Sequence, residues 1–205
     1  MDNIIKALES LKTGQEKRGF TQSIDLIISL KGIDLKKPDS KFSEDFVLPN
    51  GRGKDANIVV FSDNLNDLDC KILTSADIQR MVTDKKMARK VANETEFFLA
   101  ETPLMPLIGK SLGQVLSPRN KMPKIVTGDP NPMIRNYKKS IRIVVKSSPV
   151  IQCFVGREDM DTKKVAENIE SILKFLENKL KNGRQNIGKV LVKYTMGKPA
   201  KIEVK

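Results

Sequence analysis

Two kinds of strand pattern, unevenly placed, constrain this chain more than any other feature. Near the N-terminus "FTQSIDLIISLKGID" alternates, with Phe20, Ile24, Leu26, Ile28 and Leu30 mostly separated by polar residues. After Ser140 alternation returns in "SIRIVVK", "PVIQCFVG" and "VLVKY". A period of two marks a strand buried on one face only. Between these regions "ANIVVFSD" and "TEFFLAE" hold short continuous apolar runs on either side of the helical stretch "SADIQRMVTDKKMARKVANE". Strands buried on both faces, alternating with helix, imply a parallel β/α unit. The expected fold is therefore α/β with two domains. A discontinuous outer domain of antiparallel sheet and helices takes residues 1–50 and 140–205, and a β/α domain over 51–139 is inserted into it.

The helices follow from the same reading. "MDNIIKALESLK" places Ile4, Ile5, Leu8 and Leu11 at helical spacing, predicting a helix over Asp2 to Lys17. "TPLMPLIGKSLGQVLSP" reads as a proline-started short helix and "RNKMPKIVTGDPNP" as a loop. "TKKVAENIESILKFLENKLK" carries Val165, Ile169, Ile172, Leu173, Leu176 and Leu180 on one stripe, with Thr162 as cap and Gly183 as stop. "IGKVLVKYTMGKPAKIEVK" then forms two strands around a Met-Gly turn.

Composition removes much chemistry. The 205 residues include no histidine, so a Ser-His-Asp triad, a Cys-His pair and a His-Glu-x-x-His zinc site are impossible. Cys70 and Cys153 are too few and too far apart for a disulfide framework or a Cys-x-x-Cys metal site. No cofactor is expected. Apolar runs such as "IVVF" fall far short of the roughly 18 to 20 residues of a membrane span, and the amphipathic N-terminal helix, with Asp2 and Glu9, reads as a packed helix and not a signal, which points to the cytosol.

The net charge of +12 directs the chain toward polyanions, nucleic acid first. Its distribution is uneven. Asp55 to Glu101 holds nine acidic against six basic residues and reads as a stretch that is not the polyanion-binding face. Lys110 to Lys146 holds nine basic and one acidic, and Lys179 to Lys205 eight and one, so the cationic surface is expected late in sequence. "GRGK" at Gly51 and "GKS" at Gly109 lack the spacing of a phosphate-binding loop, and the former reads as a flexible domain crossing. The cations of "SPRNKMPK" (Ser117 to Lys124), with Lys138, Lys139 and Arg142, either line a nucleic-acid path or solvate the surface.

Near the two chain ends the residue types suit RNA. Phe20 is either core or a ring exposed beside Lys17 and Arg18, where it could stack on a base or ribose. Met196 is either a buried turn residue or a polarizable contact. Gly197 has no side chain to hold a partner off, and Thr195 can exchange a hydrogen bond with a ribose 2′-hydroxyl.

Several segments together resemble the universal large-subunit ribosomal L-one family, in its archaeal and eukaryotic branch. They are "GFTQSIDL", "VLPNGRGK", "LMPLIGKSLGQVLSPRNKMPK", "FVGREDM" with "VAENI", and "TMGKP", spread over essentially the whole chain. The resemblance implies a discontinuous rRNA-binding domain made by both chain ends, with a Rossmann-like insertion. It implies a monomer outside the ribosome that binds the stalk segment of large-subunit rRNA and acts on tRNA at the exit site; some members also repress their own mRNA. The matching RNA-contact positions are Phe20, Ser23, Thr195, Met196 and Gly197, with Lys17, Arg18, Lys189, Lys193 and Lys198 as surrounding cations. Many members read Thr-Met-Gly-Pro, whereas here Lys198 precedes Pro199. Two rival classes fit less well. An enzyme acting on RNA or a phosphorylated metabolite lacks a histidine or phosphate loop, and a DNA-binding regulator lacks a basic groove-reading helix.

Overall fold

Alternation at the two chain ends closes into one sheet. The computed structural model describes residues 1–13, 18–37, 40–65 and 68–203. In chain order these form helix α1 (Asp2–Thr13), strands β1 (Ser23–Leu30), β2 (Phe42–Val47), β3 (Ile58–Phe61) and β4 (Lys71–Leu73), and helices α2 (Ser75–Thr83) and α3 (Lys85–Glu94). Strand β5 (Phe97–Ala100), helix α4 (Met105–Leu116), strand β6 (Lys124–Ile125) and helix α5 (Pro130–Lys138) follow. Strands β7 (Ser140–Val145) and β8 (Val150–Arg157), helix α6 (Thr162–Lys179), and strands β9 (Ile187–Tyr194) and β10 (Ala200–Ile202) complete the chain. Two compact units result, Met1–Lys54 with Lys139–Lys205, and Asp55–Lys138. The fold class is α/β.

In the first unit β1 buries Ile24, Leu26, Ile28 and Leu30 and leaves Ser23, Asp25, Ile27 and Ser29 half-buried on the opposite face. It lies inside the antiparallel sheet β10-β9-β1-β8, with Ile24 opposite both Tyr194 and Gly156. Ile4, Ala7, Leu8 and Leu11 of α1 and the Val165–Leu176 stripe of α6 share one core with the buried face of this sheet. The cap of helix α6 is Asp161, one residue before the expected Thr162: its carboxylate accepts a hydrogen bond from the Lys163 N–H at 3.1 Å.

Strand β2, inside a stretch read from sequence as connection, pairs antiparallel with β7. Its polar residues conceal it, but Phe42 and Phe46 pack on the core, Phe46 with its ring 5.0 Å from that of Phe175. The following "NGRG" segment is not a free connection. Asn168, fully buried in the apolar stripe of α6, accepts from the Asn50 N–H (3.1 Å) and donates to the carbonyls of Gly51 (2.9 Å) and Val155 (3.0 Å). Gly51 and Gly53 have φ of +70° and +78°, and a Cβ on Gly53 would stand 2.9 Å from Met160 Sδ.

The second unit holds a parallel sheet, β4-β3-β5-β6, whose β3 and β5 are buried at every position, as their continuous apolar runs require. Val59, Phe61, Phe98 and Ala100 face α2, α3 and α4, while Ile58, Val60, Phe97 and Leu99 face Ile134 of α5. The single helix read through "SADIQRMVTDKKMARKVANE" is two. Asp84 breaks it: its N–H closes α2 on the Arg80 carbonyl, and its carboxylate accepts from the Lys86 and Met87 N–H groups to start α3. The loop expected over 119–132 contains β6 and the beginning of α5, whose first turn is set by Pro130 and by Asp129 accepting from the Asn131 N–H at 3.0 Å. The N-terminal helix is described over Asp2–Thr13; Lys17, its expected end, lies outside the described residues.

Asn168→Ala would leave three backbone groups around α6 without their partner. A loss on the order of 3 kcal/mol in denaturant-measured stability is expected. Asn168→Leu, which refills the volume but not the bonds, should recover little of it.

Candidate nucleic-acid interface

Register brings the residues of the two chain ends to one corner of the first sheet. With Ile24 opposite Tyr194, the Thr195 N–H donates to the Ser23 carbonyl at 3.0 Å. The Gly197 N–H closes the turn on the Tyr194 carbonyl at 2.8 Å, and Arg18 Nη2 donates to the Met196 carbonyl at 3.3 Å. Backbone 195–197 is thus bonded from the side of the N-terminal segment as well as from its own strand. Phe20 precedes β1 rather than beginning it, and it is 58% exposed; Met196 is 63% exposed. Both therefore stand outside the core, which resolves the alternative left open for each.

The hydroxyl of Thr195 has a defined direction. Its Oγ1 donates to Asp25 Oδ2 at 2.8 Å, so its lone pairs are left to accept from another donor. Asp25 was not among the candidates read from sequence. Period two on β1 puts it on the same face as Ser23, and that signal was available. Lys193 stands opposite Asp25 in the ladder. Lys198 is exposed and lines a groove of about 430 Å³ with Ser10 and Lys201.

Not every candidate cation is at this corner. Lys189 lies at the other end of β9, where its N–H donates to Ser29 Oγ at 2.7 Å; it is six residue steps before Thr195 along the strand, about 20 Å. Lys17 is outside the described residues. Of the later cations, Arg142 bonds Asp45 through Nε at 2.8 Å, and Lys138 pairs with Asp69 and Asp55. Lys121 Nζ donates to the carbonyls of Ala92 (2.8 Å) and Thr95 (2.7 Å), terminating α3. These three are structural. Of the "SPRNKMPK" cations, Lys121 is therefore less available to a ligand than composition suggests.

The ionisable groups offer little nucleophilic chemistry. Burial, with the Asp25 carboxylate nearby, pushes the Cys153 thiol up to about 12, and burial likewise raises Cys70. Burial and then the Glu158 carboxylate raise the Tyr194 phenol. Among the described residues no group of His, Cys, Asp or Glu could hold a metal ion, and no helix is long and apolar enough to cross a membrane.

The sequence was also compared with known proteins. Residues 10–198 match the model of the Ribosomal protein L1p/L10e family. Proteins named large ribosomal subunit protein uL1 are similar along nearly their whole length. That of Methanothermobacter thermautotrophicus is 40% identical over 202 residues (95% of each chain). That of Pyrococcus abyssi is 40% identical over 208 residues (98% of this chain, 95% of the relative). That of Thermoplasma volcanium is 40% identical over 209 (98% and 96%). The chain belongs to the Ribosomal protein L1p/L10e family.

The Asp45 side chain is only 6% exposed and that of Arg142 18% exposed. Arg142→Met would remove the guanidinium that faces this buried carboxylate and should cost about 3 kcal/mol by chemical denaturation. A substitution there that left stability unchanged would mean that Arg142 is a surface cation after all.

Proposed function

We propose that this protein is a structural component of the large ribosomal subunit, in the cytoplasmic ribosome, held on ribosomal RNA by the corner where β1 begins and β9 ends. It acts in translation as a binding protein, not as an enzyme. The relatives' shared name, large ribosomal subunit protein uL1, supports the ribosomal role. The observation that carries the RNA reading is the Thr195 hydroxyl: with its proton donated to Asp25 Oδ2 (2.8 Å), the Ser23 carbonyl (3.4 Å) being the weaker alternative, it is an acceptor for a ribose 2′-hydroxyl, a donor that DNA lacks.

Around that acceptor Phe20 and Met196 supply exposed apolar contact for bases or ribose, and Ser23 and Gly197 keep the backbone approachable. Arg18, Lys193 and Lys198 supply phosphate contacts beside it, and Lys189, at the far end of β9, meets phosphates farther along the RNA. The RNA is the stalk segment of the large-subunit rRNA. The second unit, carried on the first, reaches tRNA at the exit site and assists its release. Binding of the same corner to the protein's own mRNA would repress its translation.

Footprinting on total large-subunit rRNA and on the protein's own transcript tests these readings separately. A protected stalk junction is expected in the first and a protected leader in the second. Thr195→Val should weaken rRNA binding by roughly three- to tenfold, the value of one hydrogen bond. The same substitution should leave weak duplex-DNA binding unchanged, and equal losses on both would remove the 2′-hydroxyl argument. Met196→Asp should weaken binding far more by setting a carboxylate against phosphates. Phe20→Ala should reduce affinity while changing stability by less than about 0.5 kcal/mol, because the ring is outside the core.

A further inference from the structure

We infer that the second unit carries a separate groove that binds the phosphate backbone of RNA. Helices α2, α3 and α4 leave between them a groove of about 570 Å³. Four cations line it: Lys85 and Arg89, one turn apart on α3, Lys110 on α4, and Arg119 just beyond the end of α4. Among the described residues no carboxylate lines it. The adjacent acid, Asp84, is engaged by the Lys86 and Met87 N–H groups as the cap of α3. Elsewhere in the same unit cations do find acids, Arg80 with Asp77 at 3.6 Å and Lys138 with Asp69. Lys85, Arg89 and Lys110 are exposed and form no ion pair with a described residue.

Arg119 is oriented without being neutralised. Its Nη1 donates to the Val115 carbonyl at 2.9 Å and its Nε to Asn93 Oδ1 at 3.3 Å, both uncharged acceptors. Like charges around one concave surface with apolar walls focus a positive potential into it. Such an arrangement is unfavourable for the isolated chain and is relieved by a polyanion. Two of the four cations are arginines, whose planar fork matches phosphate oxygens.

The groove's floor favours a nucleic acid over an acidic protein. Met81, Ala88 and Leu112 are already buried in the unit's own core, which leaves Val82, 46% exposed, and the half-buried Val115 as the apolar side chains presented in the groove. A protein partner would therefore find little of the apolar centre that such interfaces need. Phosphates need none. That the polyanion is RNA rests on the ribosomal reading above; the groove's charge and shape do not.

Net charge along the sequence conceals this site. Lys85 and Arg89 fall in the stretch from Asp55 to Glu101 that carries more acid than base and was read as no polyanion face. The fold sorts that stretch by position. Asp55, Asp69 and Glu94 line a different groove at the beginnings of β3 and β4, while the α3 cations join those of α4.

Lysine acetylation of the full chain, read residue by residue by mass spectrometry, tests the inference. The probe is a duplex RNA of unrelated sequence at low salt. Modification of Lys85 and Lys110 should slow several-fold on adding RNA, while Lys71, outside the groove, should not change. The protection should persist in Met196→Asp and disappear in the double variant Arg89→Gln, Arg119→Gln, whose substituted side chains are exposed and whose melting curve should match wild type. Protection of Lys198 reports the first unit's corner independently. Lys198 protected with Lys85 and Lys110 unprotected would overturn the inference and spare the proposed function. Lys85 and Lys110 protected with Lys198 unprotected would support the inference and count against the corner. Equal protection by poly-glutamate would overturn the assignment to RNA.

Discussion

The hydrogen-bonded ladder that holds β1 between β8 and β9 is the constraint on which the first unit depends. Strand β1 is made near the start of the chain and both of its neighbours near the end. Register is what this pairing fixes. Ile24 opposite Tyr194 sets the Ser23 carbonyl under the Thr195 N–H and brings Asp25 within reach of the Thr195 hydroxyl. A slip by one residue would send Ser23 and Asp25 into the core and Ile24 outward. At the other end of the ladder Gly188 enforces the same fit, because a Cβ there would meet Ser29 Oγ at 2.8 Å and Ser29 O at 2.9 Å.

Charge in this protein divides into cations that hold the fold and cations that are presented. Arg142, Lys138 and Lys121 belong to the first group: one neutralises a buried carboxylate, one gathers two acids, and one ends a helix. Lys198, Lys85, Arg89 and Lys110 belong to the second. A net charge of +12 does not distinguish them. What distinguishes them is position: the second group gathers at two grooves, one on each unit.

The sequence was most legible where burial is periodic. The period of two gave β1, β7, β8 and β9, and the continuous runs gave β3 and β5, because one or both faces of each must be apolar. It failed where a local polar group overrides the pattern, as at Asp84, which splits a helix, and in β2, whose Ser43, Glu44 and Asp45 mask the two phenylalanines. For the candidate corner, Thr195, Met196 and Phe20 came from chemical suitability and family resemblance, while the exposure of Phe20 and Met196 could not be read from their types. Asp25 was missed because an acid on a surface meant for RNA argues against itself until its bond to Thr195 is seen. The groove of the second unit was missed because it gathers cations from two helices that sequence keeps apart.

The discontinuity of the first unit also imposes an order of events during synthesis. All residues of the second unit lie in one contiguous segment, so its contacts are available before β7 to β10 exist. Strand β1 has no such option. Its ladder partners begin at Val150, about 120 residues after Leu30, which at translation rates of roughly 5–20 residues per second leaves it unpaired for about 6 to 24 seconds. During that interval Ile24, Leu26, Ile28 and Leu30 form an apolar strand face without its sheet, a target for chaperones or for wrong partners until the last third of the chain arrives.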